Sequence, residues 1–528
     1  MAKFVRSSKY RHVFGSAAKK TECYDSLRIT KNPLENHFIA INAKFIALCI
    51  DAGGGGAFVV IPHDKYGRQE ITAPKVCAHE QDVLDLAWNP FNEQIIASSS
   101  EDGTIKIWDI PEGGLITNLT APLLTFDYHQ RRCINIQWHP VASNVLMSVS
   151  QDPSIVIWNL EDGTAICEID CHPDLIFNAE FSRNGDKIAT TCKDKKIRII
   201  DARTGAVLIE GNGHEGAKPQ RVTFINFDRL FVTGFSRMSE RQYGVWDQND
   251  LSTPLNTTQL DNANGTLIPF HDSDTSMVYL CGRGDSVIKY FELVEEEPYV
   301  HYLSAYQSNT SARSLNWMPK HALNVNNCEV ARFFKVHAKG MIEPISFTVP
   351  RKSELFQDDI YPDTPGIEAA LTAEQWVNGQ SAEPILVSMR TAFKEKEKPK
   401  VKGLGSKGLG KGLGAGKGLG AAKSSAKPAE KTESADPKPS VVAEKPKATE
   451  PAKSTSSHSA ASHVSTAPAA DNSVVKALQE QVRKLQEELA STKSELKAVK
   501  EASKKNNERI GVLESLVQEE TDEEEEKK

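Results

Sequence analysis

Paired cysteines, long apolar runs and late aromatics are what this 528-residue sequence lacks. Its nine cysteines, at 23, 49, 77, 133, 167, 171, 192, 281 and 328, are odd in number and scattered, with no CxxC among them. Cys167 and Cys171 have no partners at zinc spacing. This distribution argues against a disulfide framework or a zinc site and for reduced, buried thiols in a cytoplasmic protein. No stretch approaches the roughly 18 apolar residues of a membrane span. The opening MAKFVRSSKYRHVFG is charged and has no apolar signal core, so neither secretion nor membrane insertion is expected. A glycine-rich phosphate loop is missing too, because the K-G-L-G glycines between 402 and 420 follow no strand and lead into no helix. No metal and no cofactor is expected. All seven tryptophans lie at or before Trp376, and aromatic and β-branched residues nearly vanish after about residue 395. One large folded unit is therefore followed by something different.

What the first part does contain is a recurring phrase: an aspartate in a tight turn, then a large apolar residue six positions later. Asp102 leads to Trp108, Asp152 to Trp158, Asp194 to Ile200 and Asp285 to Phe291. The clearest copy spans 79–109, with His79 leading, alternating Val83, Leu84, Leu86 and Trp88, and a Glu101-Asp102-Gly103 turn. This is the residue pattern of a WD repeat, the unit of a four-stranded propeller blade. The turn aspartate can accept hydrogen bonds from His79, which in turn reaches a serine and the indole N–H of Trp108. The spacing thus predicts a small buried polar network, and structural roles for these side chains.

Further copies span 125–159 (His129, Trp138, Asp152, Trp158), 172–201 (Asp194, with Ile200 where Trp would stand), 214–247 (ending at Trp246) and 265–293 (Asp285). In the fourth copy the inner turn is stretched over 234–241. Strand pairs at 38–61 and 329–350 complete the count. Seven blades over about 350 residues allot about 45–50 to each, close to the usual repeat. The expected fold class is all-β, a seven-bladed propeller over 1–350. A ring must close or expose strand edges, and an alternating segment at 9–15 is predicted to complete the last blade.

From 351 to 394 the period stops, but Phe356, Tyr361, Trp376, Ile385 and Leu386 are too apolar for a free tail. A helix is predicted over about 368–378, with Thr364 and Pro365 as start signals, in an extension packed on the propeller. Residues 395–470 read as a disordered linker rich in Lys, Pro, Gly and Ser. Between 394 and 453 there are 15 Lys and 7 acidic residues, 15 − 7 = +8, while the last ten residues hold 7 acids and 2 Lys, 2 − 7 = −5. The basic tract suits an acidic polymer such as a cytoskeletal filament, and microtubules stay open as a partner. It lacks the interleaved aromatics of a nucleic-acid binder, so no nucleic acid is expected.

Residues 471–518 carry a 3.5-residue apolar period, the mark of a coiled coil. Its a and d positions include Val475, Leu478, Val482, Leu485, Leu489, Leu496, Val499, Ile510, Leu513 and Val517. Arg509 at g and Glu514 at e flank Ile510 and Leu513, where an inter-helix bidentate pair covers the seam. That motif is similar to one that specifies trimers, whereas Ile at a with Leu at d favours dimers. A homo-oligomer is expected, trimer or dimer, with an acidic tail at 519–528.

SSKYRHVFG at 7–15, YDSLRIT at 24–30, HPDLIFNAEFSRNG at 172–185 and KDKKIRIID at 193–201, with TGFSRMSERQYGVWD at 233–247 and PRKSELFQDDIYPDT at 350–364, together resemble the coronins, WD-repeat proteins that bind actin filaments. The resemblance implies a propeller that binds filamentous actin, a variable linker and an oligomerising coiled coil. It also implies modulation of the actin-nucleating complex of actin-related proteins, work with cofilin in filament turnover, and a place in the cortical actin cytoskeleton. The family's actin-contacting arginine matches Arg28, with Lys19 and Lys20 as neighbours in the same patch. Arg237 and Arg241, in the stretched turn, are as well suited to solvated or internally paired roles. The K-G-L-G repeats are no part of the shared pattern.

Two other classes compete. A general WD-repeat adaptor in trafficking or signalling would use the same ring without actin. A propeller enzyme would need converging groups, whereas Asp102, Asp152 and Asp194 occupy equivalent places in separate blades. The expectation is a non-enzyme.

Overall fold

The structure, a computed structural model, describes residues 6–394. The linker, coiled-coil and acidic-tail expectations, including every residue named between 475 and 517, lie outside the described residues. Six four-stranded antiparallel sheets and one six-stranded sheet form a seven-bladed propeller. The first blade runs Ile39–Ile41, Phe45–Ile50, Gly56–Pro62 and Val76–His79, and the second Val83–Trp88, Ile95–Ser100, Thr104–Asp109 and Leu124–Asp127. The sequence repeat and the blade are therefore out of phase. His79 ends the outer strand of the first blade, while the aspartate and tryptophan it serves belong to the second, so the repeat's polar network joins neighbours.

The hydrophobic cores lie between blades. Phe45, Phe58, Trp88 and Trp108 fill the space between the first and second, and Ile107, Ile136, Trp138 and Trp158 that between the second and third. Each blade thus buries both faces, which is why its strands read as near-continuous apolar runs.

Closure uses the start of the chain. Phe14–Ala17 pairs antiparallel with Met341–Thr348, Phe14 opposite Thr348 and Ala17 opposite Ile345, and Tyr24 pairs with Ile342 on the same strand. The closing strand is not the predicted 9–15. Tyr10 and Val13 are buried in a turn, the amide of Val13 bonding the Tyr10 carbonyl at 3.1 Å, so their spacing reflected a folded corner.

The extension also departs from its prediction. Its helix is only Ala373–Val377, opened by Thr372 and Gln375 in a reciprocal capping box. Thr364–Pro365 starts no helix; it pairs with Leu386–Val387. Leu371 bridges to Ala142, and Trp376 is wholly buried in the core of the third and fourth blades. Ile385 and Leu386 are exposed instead. In the fifth blade the strands Arg229–Phe235 and Arg241–Asp247 take in both ends of the stretched turn and leave 236–240 as the loop. Arg241 is buried and pairs with Asp261 at 2.6 Å and Asp285 at 2.7 Å, while Arg237 stays exposed beside Glu215 at 2.7 Å.

Candidate partner-binding surface

The repeat aspartates divide into two kinds. In the second blade His79 Nδ1 lies 3.0 Å from Asp102, its Nε2 lies 2.8 Å from Ser98 Oγ, and Trp108 Nε1 donates to the same Oγ at 2.8 Å. Burial raises the Asp102 carboxyl, but the bonds from His79 and Thr104 outweigh it and hold the group well below the usual carboxylate range. The third blade repeats the arrangement through His129, Ser148 and Trp158, with Asp152 3.4 Å from His129. In the fourth, Ile200 offers no indole N–H. His172 bonds Thr190 at 2.9 Å and Asp194 turns to Arg198; burial, aided by Arg198, drives His172 down to about 4. Trp246 of the fifth blade has no partner for its buried indole nitrogen, and Asp285 accepts from Gly282 and Arg241. These groups stand apart around the ring. Among the described residues no group of three His, Cys, Asp or Glu could hold a metal ion, and no helix is long and apolar enough to cross a membrane.

Arg28 occupies a different setting. It is exposed at the close of a segment that leaves the seventh blade and enters the first. Leu27 N–H bonds the Gly340 carbonyl at 2.9 Å, and the Arg28 carbonyl accepts from Asp51 N–H at 3.0 Å. Gly340 has φ +85 and a side chain there would sit 2.2 Å from Leu27 O, so only glycine lets the segment lie this close. Lys31 bonds Asp51 at 2.7 Å; that bond and then the charges of Lys31 and Arg28 hold the Asp51 carboxyl low. Lys19 and Lys20, also exposed, lie on the connection between the two short strands that pair with Met341–Thr348, and Ala18 N–H ties that connection to Pro344 O at 2.8 Å.

Immediately after Arg28 the chain makes contact with five blades besides the first. Arg313 donates to the carbonyls of Thr30 and Asn32, Arg283 to those of Pro33 and Leu34, and Arg221 to that of Glu35 at 2.6 Å. Asn32 bonds Glu101 at 3.0 Å, Asn36 bonds the Ile134 carbonyl, and Glu35 accepts from Thr266 N–H at 3.1 Å. A guanidinium can satisfy two carbonyls at once, which is how this strand-free, half-buried segment is held with its carbonyls paired. These arginines, Arg221 and Arg313 on inner strands and Arg283 in a turn, carry no period of their own, so sequence reasoning passed over them.

Known proteins are similar to this chain in sequence and fold. Residues 3–68, the segment that carries Lys19, Lys20 and Arg28, match a domain of unknown function, DUF1899. Residues 73–109 and 163–201 match the WD domain, G-beta repeat, and 342–384 match a type of WD40 repeat. Among solved structures, the WD40 domain of Toxoplasma gondii coronin is 30% identical with a TM-score of 0.68, covering 72% of this chain and 97% of that one. A chain of the Mitotic Checkpoint Complex is 13% identical with a TM-score of 0.48 over 67% of this chain and 99% of its own, a likeness too remote to carry argument. A WD40 propeller with the DUF1899 segment at its closing blade, 30% identical to a coronin over nearly the whole of that domain, makes this chain a member of the coronin family.

Proposed function

We propose that this protein binds actin filaments through the propeller surface around Arg28, and that the heptads of 471–518 gather two or three propellers to cross-link filaments. The observation that carries this is an exposed guanidinium on a segment fixed to five blades, in a member of the coronin family. An acidic filament suits such a group, and a fixed backbone lessens the ordering lost on binding. Lys19 and Lys20 add charge along the same blade. Linking modest sites places each at an effective concentration on the order of millimolar near the filament. Modulation of the actin-nucleating complex and of cofilin-driven turnover belongs to the same reading, as does residence in the actin cortex.

Co-sedimentation with filaments tests it. Arg28→Asp abolishes pelleting while the urea midpoint stays put, and deletion of 471–528 weakens pelleting and ends bundling. Unchanged pelleting by both variants would sink the proposal.

A further inference from the structure

Beside Arg28 lies a groove of about 220 Å3 that the repeat does not require. Three held walls form it. The first is the segment of Arg28, fixed by Asp51 N–H and by the bridge of Ile29 to Ile50. The second is the 65–75 loop. The third is the loop through Gly114, which leans on Pro62 (a side chain at Gly114 would meet the proline ring at 3.1 Å) and is tied by Asn118 to Lys75 N–H at 3.1 Å. Val59 and Leu115 give it an apolar lining, and Ile71, 66% exposed, stands at its edge.

The volume falls below the roughly 300–1,000 Å3 of small-molecule sites and suits a single large side chain. The charges around it are Arg28, Lys65 and Lys75 against Asp51 and Glu70, and Asp51 is already engaged by Lys31. The remaining excess is positive. An apolar cleft beside an exposed arginine, with an aliphatic side chain left in solvent at its edge, is the make-up of an interface centre. We infer that this groove is the apolar half of the filament contact. It takes one large apolar side chain from an extended segment of the filament subunit, whose neighbouring carboxylate pairs with Arg28. This rests on the reading that Arg28 faces the filament.

The test is filament co-sedimentation at a series of salt concentrations, with full-length wild type, Arg28→Ala, Ile71→Ser and Leu115→Ser, each checked for an unchanged urea midpoint. Ile71 is exposed, so its substitution leaves the fold intact even if that of Leu115 does not. Salt screens charge contacts and spares apolar ones. The serine variants therefore bind about ten-fold more weakly with the wild-type salt dependence, whereas Arg28→Ala binds more weakly with a shallower one. If Arg28→Ala loses binding while Ile71→Ser binds as wild type, the groove is no part of the contact and the inference is overturned. If Arg28→Ala itself binds as wild type, the filament reading of Arg28 falls and takes this inference with it.

Discussion

Arg313 of the seventh blade holds the carbonyl of Thr30, two residues past Arg28, at 3.2 Å. The same guanidinium reaches Asn32 O and lies 5.2 Å from the centre of the Phe38 ring. Arg28 is thus mounted on a clamp supplied from the last blade of the ring. Arg313→Ala lowers filament affinity because it loosens Arg28, and the loss disappears in an Arg28→Ala background. A double-mutant cycle in co-sedimentation measures that coupling; additive losses would show that Arg313 acts by another route. The same variant loses about 1–3 kcal/mol of stability from the unpaired carbonyls.

Trp108 and Trp246 occupy equivalent positions with different nitrogen chemistry. Trp108→Phe removes a bond to Ser98 from a buried chain, whereas Trp246→Phe removes an N–H that has no partner. The first costs about 1–3 kcal/mol more than the second, read from urea midpoints. Equal costs would mean that the serine node adds nothing.

Glu180 lines the 580 Å3 space at the ring's centre and accepts a bond from Thr223. Burial pushes its carboxyl up to about 8, against a smaller lowering by that bond. The folded chain therefore keeps a proton that the unfolded chain releases above about 4.5. Its contribution is full below pH 4.5 and lost as pH rises toward 8. Glu180→Gln, with a permanently neutral amide, is more stable than wild type at pH 8.5 by more than about 1.4 kcal/mol, the worth of a single tenfold change in proton affinity, and no more stable at pH 4. Urea titrations at the two pH values decide it.

At acid pH the buried histidines give the opposite slope. Burial brings His139 down to about 3 and His214 to about 4, so both stay neutral in the fold after the unfolded chain has begun to bind protons near pH 6.5. Their stabilisation is present above pH 6.5 and drains as pH falls toward 4. Asp102 and Asp152, held low, lose theirs only below the ordinary carboxylate range. Thermal midpoints from pH 7 to 4.5 should fall, and replacing His214 by Gln should flatten the slope; an unchanged slope assigns the fall to other groups.

Trp376 fastens the extension. Arg203 stacks 4.9 Å from its ring centre and donates to its carbonyl at 2.7 Å, and His139 meets the ring edge-on at 4.8 Å. Trp376→Ala costs about 3–5 kcal/mol and exposes the 366–385 stretch to protease, which mass spectrometry of the fragments reads directly.

Much of the ring was legible because its physics is periodic. His79, Asp102 and Trp108 recur at fixed offsets since successive blades repeat one hydrogen-bonding problem, and the blades could be counted from those offsets. Aperiodic parts were harder. The 9–15 segment alternated like a strand because a turn also buries Tyr10 and Val13. Thr364-Pro365 offered a helix start that Thr372 and Gln375 supplied instead. Arg28 had no period at all; its marking came from family resemblance, and its mounting from Arg221, Arg283 and Arg313, whose partners are backbone carbonyls far away in sequence. A carbonyl leaves no trace in a side-chain pattern.

Pairing Phe14 with Thr348 also sets a timetable. A ribosome releases the Arg28 segment first and its supports last, and such distant pairings form late in folding. Early strands must wait, with one blade edge open, until the seventh blade emerges. The surface around Arg28 is consequently assembled only by a chain that has been read through that blade, so fragments stopped earlier have no mounted arginine to offer a partner.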